Sequence, residues 1–285
     1  MELAKRISIF KLSKKELEFI KKHTEDVTLV FQYHFNKLID ILADYTNITE
    51  LIFLVNDYDL PINSYPQNLK SLNLPHKYNQ QLVNLPPSLT SLRLNDYYNY
   101  PLTGILPLGL KILYLGEQFN QPLDDLPSGL QELSIGRDFN HSLDNLPQNL
   151  LLLKITSDNK YYNYSFNNLP NSLQKLIIGM LYFNDTLDQL PQGLLELEIF
   201  GRYNQPLDNL PNNLYKLYAE YCFNQNIDML PDSIKILKLS CRFNKQINKL
   251  PANLTKLYLP SKYKDFSLLQ KNNPQIYITD DVTYY

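Results

Sequence analysis

The chain has 285 residues, a formal net charge of −2 at pH 7, two cysteines and no tryptophan. That balance leaves no basic footprint for nucleic acid, no apolar run is long enough to span a bilayer, and two cysteines are too few for a disulfide framework. The first residues lack a continuous apolar stretch followed by a small-residue cleavage site, so no secretory leader is predicted and a cytoplasmic setting is expected.

In chain order, Ile7–Phe10 and Val27–Phe31 are predicted strands. Ile7 and Ile9 align with Leu29 and Phe31, and these with Leu51 and Phe53, at steps of 22 residues. Between the first two strands Ser13 and Glu16 form a capping-box pattern, and Leu17 with Ile20 gives an apolar stripe, which predicts a helix. A second helix is predicted over Asn36–Asp44. Together these elements read as divergent repeats that cap the open edge of a sheet.

From residue 57 a clock takes over. Pro66, Pro86, Pro107, Pro127, Pro147, Pro170, Pro191, Pro211, Pro231 and Pro251 are separated by 20, 21, 20, 20, 23, 21, 20, 20 and 20 residues. A fixed period near 20 is the mark of a solenoid at the short end of the leucine-rich range. Three residues after each Pro comes Leu-x-x-Leu-x-Leu or a near variant, as in Leu110, Leu113 and Leu115. The last two positions alternate, so they face one side of a short strand. Stacked copies then make a parallel sheet on a concave face, leucines inward and the intervening residues outward.

Next comes an aromatic–Asn pair, such as Tyr78-Asn79, Phe119-Asn120, Tyr162-Asn163, Tyr203-Asn204 and Phe243-Asn244, with Tyr58-Asp59 as a variant. The aromatics are expected to stack as an internal spine. The Asn side chains are expected to be buried and bonded to backbone groups of their own and the neighbouring repeat, because an unpaired buried amide costs roughly 1–3 kcal/mol. Five residues after the aromatic stands a turn-capping column, including Asp124, Asp144, Asp188, Asp208 and Asp228. With Pro in every unit it predicts turns or 3₁₀ segments, not helices, on the convex side. Thr103 and Asn167 share that column and no calcium-type loop accompanies it, so no metal site is predicted. Ser157–Tyr161 is an insert, predicted to bulge as a loop at the sheet edge. Ile276–Ile278 reads as a final strand within a C-terminal cap whose tail is loose. Gly116, Gly136, Gly179 and Gly201 read as turn glycines after strands.

The frame (F/Y)N-x-x-(L/I)-x-x-LP-x-x-L-x-x-L-x-(L/I), repeated over about residues 58–263, resembles the FNIP repeat. That leucine-rich-repeat variant is found mainly in social amoebae and in giant viruses that infect amoebae. In this chain the third letter, Ile, is most often Gln. The resemblance implies a protein-interaction scaffold with no catalytic residues to carry over. Some members look like F-box adaptors of ubiquitin ligases, but the Leu-Pro-x-Glu start of an F-box does not occur in the N-terminal segment. The expected organisation is one leucine-rich-repeat solenoid domain over 1–285: capping repeats with helices at 1–56, about ten repeats of 20–23 residues at 57–260, and a cap at 261–285.

No phosphate loop, nucleophile elbow or acid–base constellation stands in the sequence, so no enzyme activity and no cofactor are predicted. His76 and His141 fall in different columns; His23 and His34 flank a strand and read as surface residues of the cap. Cys222 and Cys241, in neighbouring columns of adjacent repeats, read as free thiols. The candidate site is the outward-facing side of the sheet. Exposed aromatic and apolar residues there are candidate anchors for a protein partner: Tyr114, Ile177, Phe200, Tyr218 and Tyr258, with Glu198, Glu220 and Lys238 around them. The alternatives are a ubiquitin-ligase adaptor acting through Met1–Asn47 and a carbohydrate-binding module using the tyrosines.

Overall fold

The computed structural model describes residues 5–32, 35–55, 57–159, 161–162, 165–260 and 262–280. His34, Asn163 and the tail 281–285 lie outside them. Alternating leucines build the strands, and the chain packs as two compact units, Met1–His141 and Ser142–Tyr285. The first carries β1 (Lys5–Ile9), β2 (Val27–Phe31), β3 (Ile48–Phe53), β4 (Ser71–Asn73), β5 (Ser91–Arg93), β6 (Ile112–Tyr114) and β7 (Glu132–Ile135). Each strand pairs in parallel with the next. The second carries β8 (Leu152–Ser157), β9 (Lys175–Met180), β10 (Glu196–Gly201), β11 (Lys216–Ala219), β12 (Ile236–Leu239), β13 (Lys256–Leu259) and β14 (Tyr277–Asp280), again paired in chain order and in parallel.

Register follows one leucine column. Leu153, Leu176, Leu197, Leu217, Leu237 and Leu257 stand opposite one another, and all are fully buried. A slip of one residue would turn the whole column to solvent, so burial alone specifies the pairing. Each of β4 to β13 is entered through a Pro-x-x-Leu turn, with Ile234 in the last place before β12. The Leu214 N–H, for example, donates to the Pro211 carbonyl at 3.1 Å, and Leu69 to Pro66 at 3.1 Å. Proline suits that place because its fixed φ favours the turn and only its carbonyl is used.

The aromatic spine forms as expected except at Tyr162, next to the insert, which is half-buried and donates its hydroxyl to Asp185 at 2.9 Å. Tyr58, Tyr78, Tyr98, Phe119, Phe139, Phe183, Tyr203, Phe223 and Phe243 are fully buried. Phe183 and Tyr203 stack at 5.5 Å, and Tyr203 and Phe223 at 6.5 Å, with nearly parallel rings.

The asparagines beside them are not buried. Asn79, Asn99, Asn120, Asn184 and Asn244 are exposed, and Asn140, Asn204 and Asn224 are half-buried. They form a ladder at the surface. The Asn204 Oδ1 accepts the backbone N–H of Asn224 at 2.8 Å, and the Asn204 N–H donates to Asn184 Oδ1 at 2.7 Å. The same bond joins Asn120 to Asn99 and Asn140 to Asn120. Only an oxygen acceptor is needed, which is why Asp59 serves for Asn79 at 2.8 Å. The Gln that takes the third letter's place has its own rung: Gln225 Nε2 donates to the Asn204 carbonyl at 2.8 Å.

The aspartate column also caps the following repeat more than its own. Asp228 Oδ1 accepts from the N–H groups of Asn248 and Lys249, both at 3.0 Å.

Helix α1 (Lys14–Lys21) has the predicted capping box and buries Ile20. The second predicted helix is reduced to a 3₁₀ turn over Asp40–Leu42. Phe35, Ile39 and Leu42 are buried at helix-like spacing, but Asp40 accepts from the N–H groups of Asn63 and Ser64 in the next repeat at 2.9 and 3.2 Å. A full helix would carry Asp40 away from those donors, and one tight turn already buries the apolar residues. A short helix, α2 (Phe266–Asn272), precedes β14 and was not predicted; it buries none of its residues.

The insert begins as strand, not loop. Thr156 and Ser157 extend β8 and pair with Gly179 and Met180. Gly179 and Gly201 therefore lie inside β9 and β10, not after them. Gly136 and Gly116 are glycine because of close approach: a Cβ at Gly136 would sit 2.2 Å from the Gly116 carbonyl oxygen.

The solvent face of the sheet as candidate partner surface

Strand alternation sends every second side chain outward, and parallel register lines these up in columns. In the second unit one column reads Lys175, Glu196, Lys216 and the next reads Ile177, Glu198, Tyr218, Lys238, Tyr258. The signs alternate between neighbouring strands, so the charges satisfy one another. Lys175 Nζ lies 2.9 Å from Glu196 and 3.2 Å from Glu198; Lys216 Nζ lies 2.7 Å from Glu198 and 3.5 Å from Glu196. The Glu198 and Lys216 side chains are only 13% and 17% exposed. Burial pushes the Glu198 carboxyl up, but hydrogen bonds from Lys216 and Lys175 outweigh it and hold the group below its usual value. Burial likewise works against Lys175 and Lys216, and their glutamate partners hold both above the usual lysine value.

Tyr218 sits inside this lattice. Lys216 Nζ lies 4.2 Å from its ring centroid and Lys238 Nζ 5.8 Å. Lys238 also meets Glu220 at 3.0 Å, with side chains 11% and 7% exposed. The Tyr258 ring meets Tyr218 edge-on at 6.5 Å. Lys256 stands 4.9 Å from the Tyr258 centroid and 5.6 Å from that of Tyr277.

The second unit thus brings Glu198, Tyr218, Glu220, Lys238 and Tyr258 into one network, with Ile177 opposite Glu198 in the register. Phe200 stands opposite Gly179 in the register. Tyr114 lies in the first unit, within a cluster of its own. The Arg93 guanidinium stacks 4.2 Å from its ring, and its hydroxyl donates to Glu132 Oε2 at 3.3 Å. Burial first, then Glu132, raises the Tyr114 hydroxyl above its ordinary value.

Lys175, Glu196, Lys216 and Lys256 stand at outward-facing positions of the period but outside the candidate anchors; with Tyr277 they complete the lattice. Their signal was in the spacing. Positions 175, 196 and 216 share one repeat column and read plus, minus, plus. Paired charges at this density hold their side chains in place. Cys222 and Cys241 are free thiols. Among the described residues no group of three His, Cys, Asp or Glu could hold a metal ion, and no helix is long and apolar enough to cross a membrane.

The family model for the FNIP Repeat matches residues 78–118, 119–158 and 223–263. No curated protein matches the chain. Among solved structures it is similar to CroV588 of a giant virus, described as a novel circular leucine-rich-repeat protein, with 29% identity and a TM-score of 0.66 over 84% of this chain. This chain spans 42% of that one. An internalin (inlF) of Listeria monocytogenes shares the fold at 19% identity and a TM-score of 0.58, over 91% of this chain and 75% of its own. The columns of leucine, aromatic and Asn recur through the matched stretches: the chain carries three stretches that match the FNIP Repeat, within a leucine-rich-repeat solenoid.

Proposed function

We propose that the protein is a non-catalytic scaffold that binds a protein partner on the solvent face of its sheet. The observation that carries this reading is the held arrangement around Tyr218. Its ring is fixed between Lys216 and Lys238, and those lysines are fixed by glutamates. Side chains already ordered in the free protein lose little freedom on docking, so more of the contact energy remains as affinity. Ile177, Phe200, Tyr218 and Tyr258 are half-buried on this face, and partly exposed aromatic residues on a rigid surface are the usual anchors of an interface. Glu198, Glu220 and Lys238 orient those anchors.

The test is the double substitution Phe200→Ala with Tyr218→Ala, followed by affinity capture from host cells and quantification of bound proteins by mass spectrometry. Both side chains lie on the outward face, so the fold is retained by circular dichroism. Capture falls at least tenfold, the loss of about one anchor contact of 1.4 kcal/mol or more. An unchanged set and amount of bound proteins refutes the surface assignment.

A further inference from the structure

The solvent face of the second unit differs in sign from the chain as a whole. Glu196, Glu198 and Glu220 are each taken by Lys175, Lys216 or Lys238. Lys154 and Lys256 remain. Among the described residues neither has a carboxylate within ion-pair distance, and Lys256 is instead flanked by the rings of Tyr258 and Tyr277. The face therefore carries two uncompensated positive charges within a chain of net charge −2. They sit at its opposite ends. Lys154 is on β8, beside Ile177, and Lys256 is on β13, between Ile236 and Tyr277. Five strand steps at roughly 4.8 Å separate them by about 24 Å, which an extended peptide covers in about seven residues at roughly 3.3 Å each.

We propose, resting on the partner-surface reading above, that the occupant of this face is an extended acidic segment of a protein partner. It lies across the strands, with carboxylates six to eight positions apart on Lys154 and Lys256, and apolar side chains on Phe200 and Tyr218 between them and on Tyr258 beside Lys256. Charge complementarity carries the choice. A basic segment would meet both free ammonium groups, and a neutral one would leave them without partners. Rim charges of this kind set association rate and selectivity more than raw affinity, so the interaction weakens with added salt.

The experiment selects a random 12-residue peptide display library on the full chain, then measures the enriched peptides by fluorescence anisotropy. They are compared on the wild type, on Lys154→Glu with Lys256→Glu, and on Phe200→Ala with Tyr218→Ala. Enriched peptides carry Asp or Glu pairs six to eight positions apart, bind the charge-reversed variant at least tenfold more weakly, and regain affinity for it when their acids are changed to Lys. Neutral or basic peptides that ignore the charge reversal but lose binding with Phe200 and Tyr218 overturn the acidic class and leave the surface reading standing. Peptides insensitive to both variants, or no enrichment at all, overturn both.

Discussion

Replacing Asn204 by Ala removes one rung of the asparagine ladder and nothing from the core. The Asn204 Oδ1 holds the Asn224 N–H at 2.8 Å, and Asn224 is half-buried, so water replaces the lost acceptor only in part. The net loss is about 1 kcal/mol, the usual contribution of one such bond. The rung from Gln225 to the Asn204 carbonyl uses main chain and survives. Unfolding entropy of about 2.1 cal/mol/K per residue converts that loss into a Tm lower by about 2 °C if the whole chain melts together, and by about 3 °C if the unit of residues 142–285 melts alone. Asn204→Asp keeps an acceptor oxygen, as Asp59 does natively toward Asn79, and stays within about 0.3 kcal/mol of wild type, below the usual cost of a lost bond. Urea unfolding and scanning calorimetry on the three proteins decide. If Asp destabilises as much as Ala, the acceptor is not what the column supplies; if Ala is neutral, the ladder does not hold adjacent repeats together.

Two further outcomes are expected. Gly136→Ala places a methyl group 2.2 Å from the Gly116 carbonyl oxygen, 2.6 Å from its carbon and 2.7 Å from the Glu117 Cα, all main chain that cannot step aside. It costs at least about 3 kcal/mol, the upper end for overpacking, and a denaturation midpoint equal to wild type would refute the close approach. The Glu198 network has its own pH window. The folded carboxyl titrates below its unfolded value of about 4.3, so its contribution is present above that pH and is lost as pH falls through the lower folded value. Lys175 and Lys216 are raised, so theirs is present below about pH 10.4 and lost as pH rises through the higher folded values. Glu198→Gln therefore costs about 1 kcal/mol at pH 7 and flattens the acid limb of the stability curve. Parallel curves for the two proteins would overturn this account.

Much of the fold was legible because a solenoid is a local object. The 20-residue clock, the alternating leucines and the buried aromatics each follow from one repeat and its neighbour, and Ser13 with Glu16 announces α1 by itself. What tertiary structure decided is where polar side chains go once copies are stacked. Whether Asn204 turns inward or bridges to Asn224 depends on the adjacent turn, and a single repeat contains neither partner. The contraction of residues 36–44 to one 3₁₀ turn likewise depends on Asp40 meeting Asn63 and Ser64. The outward face is the strongest case. Its columns of side chains could be named from the period. The pairing of Lys175, Glu196, Glu198 and Lys216 exists only because parallel register brings residues about 20 apart in sequence to one strand spacing, where opposite charges attract and lock. Sequence determined which residues recur; packing of neighbouring copies determined which of the varying ones are already engaged, and left Lys154 and Lys256 without a carboxylate among the described residues.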